Sequence, residues 1–70
     1  MPRFLNRREL IKKLRGAGLA GPFSGGKHQY MMYKNLKIFI PNPHGGEIGS
    51  KIIRRMLVDI AISEEDWEEL

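Results

Sequence analysis

Gln29-Tyr30-Met31-Met32-Tyr33-Lys34-Asn35-Leu36-Lys37-Ile38-Phe39-Ile40 is the stretch that decides the fold. Two apolar, β-prone runs flank Lys34-Asn35, a pair that reads as a tight turn. The pattern predicts strands over residues 29–33 and 36–40. A two-residue turn sets their register: Tyr33 faces Leu36, Tyr30 faces Phe39, and His28 faces Pro41. One face then carries Met31, Leu36, Ile38 and Ile40, which suits a core. The other carries His28, Tyr30, Met32, Lys37 and Phe39, a mixture of aromatic and basic groups.

On the N-terminal side of this hairpin a helix is well signalled. Asn6 is a good N-cap and Glu9 completes a capping box, with Leu5 and Leu10 as its hydrophobic staple. Pro2 would also suit an earlier start. Leu10, Ile11 and Leu14 form one apolar stripe among Arg7, Arg8, Lys12, Lys13 and Arg15. Gly16-Ala17-Gly18 ends it, with either glycine able to take the left-handed stop. Residues 19–27 hold Pro22 and three glycines, so at most a short edge strand is expected there. After the hairpin, Pro41-Asn42-Pro43-His44-Gly45-Gly46 reads as a loop. A second helix is expected from a Ser50 cap, burying Ile52, Ile53, Met56, Leu57 and Ile60. Ser63 and Asp66 open a short acidic turn or helix through Trp67. The order predicts one α+β domain over residues 1–70, with two main helices on one face of a two- to three-stranded antiparallel sheet and residues 63–70 as an acidic C-terminal element.

Composition narrows the chemistry. The chain has no cysteine, which excludes disulfides and zinc–thiolate sites and fits a reducing, cytoplasmic setting. No run of about 18 apolar residues exists to span a membrane, and Arg3, Arg7 and Arg8 precede any apolar stretch that could serve as a signal peptide. The net charge of +4 conceals an asymmetry. All 12 basic residues lie in residues 1–58, opposed there only by Glu9 and Glu47, giving +10; six acids give −6 over residues 59–70. A basic body with an acidic end points to a polyanionic partner, against the plainer reading of a solvated basic surface.

His28 is the leading candidate for chemistry. Histidine titrates near neutrality and can accept or give a proton under cellular conditions. Gly25-Gly26 before it permits close backbone approach to a ligand, and Lys27 can hold a phosphate. The competing reading is a half-buried histidine at a strand start. RNA suits a lone imidazole, because its 2′-hydroxyl is an internal nucleophile beside the scissile phosphate. DNA hydrolysis usually recruits carboxylate-held metals, and between Leu10 and Val58 the only carboxylate is Glu47. No metal and no cofactor is therefore expected. His44 is a possible accessory, three residues beyond Pro41, or simply a loop residue. Tyr30, Tyr33 and Phe39 can stack bases or pack. Ser24, Ser50 and Ser63 read as loop or cap residues, so no serine triad is expected. Gly25-Gly26-Lys27 lacks the spacing of a nucleotide-binding P-loop.

Four stretches together resemble the HicA toxins of type II toxin–antitoxin systems: Arg8-Glu9-Leu10-Ile11-Lys12-Lys13-Leu14, Gly21-Pro22-Phe23-Ser24-Gly25-Gly26-Lys27-His28, Ile40-Pro41-Asn42-Pro43-His44-Gly45-Gly46-Glu47-Ile48 and Ile53-Arg54-Arg55-Met56-Leu57. The resemblance implies a fold similar to the double-stranded-RNA-binding domain. It implies metal-independent cleavage of messenger RNA dependent on His28, and a HicB-type antitoxin that covers this site in a hetero-oligomer, the free toxin being monomeric. On that reading Gly26, Lys27, Lys37, Lys51 and Arg54 are the candidate RNA-binding residues. A non-catalytic RNA-binding module and a purely structural docking protein are the alternatives.

Overall fold

A computed structural model describes residues 4–41 and 46–70. The chain runs β1 (Phe4–Asn6), α1 (Arg7–Gly16), β2 (Ala20–Gly25), β3 (His28–Tyr33), β4 (Leu36–Phe39), β5 (Glu47–Gly49), α2 (Ser50–Asp59) and α3 (Glu64–Glu68). Among these residues β2, β3 and β4 form an antiparallel sheet in that order, and β1 pairs with β5 in a two-stranded antiparallel ribbon. The molecule is α+β, with helices covering one face of the small sheet. It is a flat body of 32 × 30 × 17 Å.

The β3–β4 register is the one the turn predicts: Tyr33 opposite Leu36, Met32 opposite Lys37, Met31 opposite Ile38 and Tyr30 opposite Phe39. The Ile40 N–H donates to the Gln29 carbonyl at 2.9 Å, so the pairing continues one step past β4. Met31, Ile38 and Ile40 are buried as expected. Leu36 shares their face but lies 43% exposed, because it opens the strand at the turn, beyond the helices' reach.

Two features depart from expectation around the hairpin. The first is β2, a six-residue edge strand where only a short one was expected. Pro22 lacks an N–H, but β2 is on the edge, and its pairing with β3 shifts register between Ala20 and Phe23. Past the shift, Phe23, Ser24 and Gly25 pair regularly with Tyr30, Gln29 and His28. The second is β1, which removes the alternative of a helix starting at Pro2: Phe4–Asn6 is extended and pairs with Glu47–Gly49. That pairing buries Leu5 against Ile48. It also holds the chain extended through Gly49, so Gly49 and not Ser50 is the N-cap of α2, with no side-chain cap bond.

The first helix keeps its predicted start. The Glu9 N–H donates to Asn6 Oδ1 at 2.7 Å, and the Asn6 N–H donates to Glu9 Oε1 at 3.2 Å. Its end is a Schellman motif: Leu19 N–H donates to the Leu14 carbonyl at 3.0 Å and Gly18 N–H to the Arg15 carbonyl at 3.0 Å, with Gly18 left-handed at φ 101°. Helix α2 ends in the same way without a glycine. Ile62 N–H donates to the Leu57 carbonyl at 3.0 Å and Ala61 N–H to the Val58 carbonyl at 3.2 Å, with Ala61 at φ 55°.

The core joins both helices to the sheet: Leu10 and Leu14 of α1, Met31 and Ile38 of the hairpin, Ile48, then Ile53, Met56, Leu57 and Ile60. Ile52 is 46% exposed and lies outside it, since Ile53 and Leu57 take the inward face. Ser63 Oγ accepts from the Asp66 N–H at 3.1 Å and starts α3, which drives Trp67 fully into the core. Lys13 fastens this last turn, with Nζ donating to the Trp67 carbonyl at 2.8 Å and lying 5.2 Å from the ring centroid.

Candidate functional site

The alternation of a strand sends successive side chains to opposite faces. With Met31 and Ile38 turned into the core, His28, Tyr30 and Met32 of β3, Lys37 and Phe39 of β4, and Phe23 and Gly25 of β2 share the open face. The site is this surface, on the side of the sheet away from the helices.

His28 is exposed at the first position of β3, opposite Gly25. Between them Gly26-Lys27 forms a two-residue hairpin turn, with Gly26 at φ 88°. That conformation explains the glycine, and nothing lies within 4 Å of where a side chain would begin. The backbone beside His28 is therefore open, and Lys27 is exposed next to it. Tyr30 is two residues along, about 7 Å up the strand.

Tyr30 stands at the centre of the face. Its ring centroid is 5.6 Å from that of Phe23 on β2 and 6.2 Å from that of Phe39 on β4. Lys37 Nζ lies 4.5 Å from the Tyr30 centroid. The Tyr30 ring also covers Gly25: a side chain there would begin 2.8 Å from Cδ1 and Cε1 of the ring. The outer rings are open, Phe23 at 42% and Phe39 at 55% exposure.

Among the sequence-predicted residues, the structure gathers His28, Gly26, Lys27, Tyr30 and Lys37 at one face and its turn. Lys51 and Arg54 belong to α2, in the helical layer. Arg54 turns toward α3, with Nε donating to Glu64 Oε1 at 3.0 Å. A groove between α2 and the start of α3, lined by Arg54, Leu57, Val58, Ile62 and Glu64, lies in that layer too. His44 falls outside the described residues. Pro41 follows Ile40 at the His28 end of the hairpin.

Phe23 is the residue that sequence reasoning missed. The signal was present: a two-residue turn at Gly26-Lys27 places Phe23 opposite Tyr30 by counting alone. Residues 10–46 contain no aspartate or glutamate, so the sheet carries Lys27, Lys34 and Lys37 with no acid to oppose them. Among the described residues no group of three or more histidine, cysteine or acidic side chains could hold a metal ion. No helix is long and apolar enough to cross a membrane among the same residues. Comparison with protein-family models, with curated proteins and with solved structures finds no match.

Proposed function

We propose that this chain is a metal-independent endoribonuclease toxin of the HicA type, acting on messenger RNA in the cytoplasm with His28 as its acid–base group. One observation carries the reading: His28 is exposed beside an open glycine turn and Lys27, on a sheet with three lysines and no carboxylate. On this reading the α+β architecture is a variant of the double-stranded-RNA-binding fold, and a HicB-type antitoxin is the protein that covers the open face.

The chemistry needs little from the protein. The imidazole takes the proton of a ribose 2′-hydroxyl as that oxygen attacks the adjacent phosphorus. The bond to the 5′-oxygen breaks, and that oxygen leaves with a proton from the solvent or from the imidazolium. The products are a 2′,3′-cyclic phosphate and a 5′-hydroxyl end. Lys27 and Lys37 balance the charge that gathers on the phosphorus oxygens.

Incubation with single-stranded RNA in EDTA tests this. The wild-type chain should cleave and leave cyclic phosphate ends, and His28→Ala should be slower by about 10²–10⁴. DNA of the same sequence should stay intact. Equal cleavage by His28→Ala refutes the assignment. RNA that is bound but returned intact by the wild-type chain favours the second reading, a binding module without catalysis, which the aromatic row on the open face supports.

A further inference from the structure

We propose that the open sheet face is a base-stacking platform, on which unpaired bases of a single strand rest against its aromatic row. This rests on the ribonuclease reading for its connection to cleavage, but the platform is a separate property of the face. Phe23 and Phe39 are the stacking rings. Tyr30 stands between them as the positioning residue, and Lys37 supplies the phosphate contact.

The geometry argues for this occupant. Three aromatic rings form one row across three hydrogen-bonded strands, with centroids 5.6 and 6.2 Å apart. Their backbone is fixed by the register, and Gly25 beneath the Tyr30 ring fixes the middle ring from below. Stacking surfaces that are rigid before binding spend little ordering entropy on it. Both outer rings are about half exposed although the chain has a full apolar core on the other side of the sheet. Rings left in water on a structured face mark a surface that something covers.

Charge selects a nucleic acid for that role. Lys37 lies on the row, Lys27 is exposed in the turn beside His28, and residues 10–46 contribute no carboxylate, so the face complements a polyanion. Aromatic rings interleaved with cations are what a single strand needs, since every base has a π-face and every nucleotide a phosphate. A duplex gains nothing from the rings, because its bases are stacked on one another and show only their edges. Lys37 lies over Tyr30 in the free protein at 4.5 Å, within side-chain reach of a phosphate whose base rests on Phe39. His28 is on the same strand and face, two residues from Tyr30, so a strand held by the row passes the imidazole.

The test is fluorescence anisotropy with the full chain carrying His28→Ala, which keeps the RNA whole. The probes are a labelled ten-nucleotide RNA, the same RNA annealed to its complement, the matching single-stranded DNA, and an abasic version of the RNA. Single-stranded RNA and DNA should bind alike, and the duplex and abasic strand at least tenfold more weakly. Phe39→Ala and Phe23→Ala should each weaken single-strand binding roughly tenfold or more, the scale of one lost stack, and leave duplex binding unchanged. Phe39→Leu should behave like Phe39→Ala, while Phe39→Trp retains affinity. Unchanged circular dichroism, with unchanged Trp67 emission in the variants that add no tryptophan, shows that each variant is folded. Parental affinity in Phe39→Leu overturns the proposal in favour of an apolar protein-docking face. Equal affinity for the abasic strand overturns it in favour of charge alone, and preference for the duplex overturns it outright. If the wild-type chain binds single strands through the rings yet never cuts them, the nuclease reading fails and the platform stands. If it cuts and the ring variants change neither affinity nor KM, the platform fails and the nuclease stands.

Discussion

Gly25 carries no side chain because the Tyr30 ring occupies the place where one would start, 2.8 Å from Cδ1 and Cε1. Gly25→Ala should therefore push the ring aside and cost about 1–3 kcal/mol, as overpacking does. A urea midpoint measures it, and in a Tyr30→Ala background the same substitution should cost nothing. Gly26, one residue on, is glycine for another reason: the turn holds it at φ 88° with open space around it. The Gly25-Gly26 pair was legible in the sequence as a permissive backbone next to His28. Its division of labour was not, because the reason for Gly25 is a ring that reaches it only across the hairpin. Phe23 was masked for a different reason: Pro22 argues against a strand in a local reading, although the Gly26-Lys27 turn alone sets Phe23 opposite Tyr30 and the register shift lies beyond it, toward Ala20.

Elements reveal what holds the two layers together. Both main helices end in the same backbone motif, but α1 uses Gly18 at φ 101° and α2 uses Ala61 at φ 55°. An L-residue in the left-handed region is strained by roughly 1–2 kcal/mol. Ala61→Gly should relieve that strain and, after the added freedom of the unfolded chain, raise stability by about 0.5–1 kcal/mol in a urea titration. Helix α3 has only five residues and could not persist alone. Its stability comes from Trp67 in the core, the Ser63 cap and the Lys13 contact. Trp67→Ala should cost about 3–5 kcal/mol. For 70 residues at the usual roughly 0.05–0.15 kcal/mol each, that is much of the total, so broad, non-cooperative thermal unfolding is the expected result. The exposed Arg54–Glu64 pair contributes at most about 1 kcal/mol. The caps of α1 and α3 were legible because a capping residue and its partner are three positions apart. β1 and β5 were not, because three-residue strands show no period and their partners lie more than 40 residues away.

Across the whole molecule eight of the twelve basic residues lie on α1 and α2, mixed there with seven acids of the helices and tail, so the three-stranded sheet is the layer of one sign. The sheet carries lysines and no acid, while the acidic α3 packs on the helical side against Lys13 and Arg54. Nucleic acid should therefore be drawn to the sheet, and its affinity should fall with salt. Each phosphate neutralised adds about −0.7 to the log–log slope for a single strand. Lys37→Ala should make the slope shallower by about that amount, whereas Lys51→Ala should leave it unchanged; equal effects would place the RNA on the helical layer instead. The sequence by itself determined the hairpin and its register, the caps of α1 and α3 and most of the core, since each depends on the spacing of neighbouring residues. Only the tertiary structure decided that Phe4–Asn6 pairs with Glu47–Gly49 and that Arg54 turns to Glu64. Those are contacts between segments that no local pattern connects, and they form because closing the core brings the segments together.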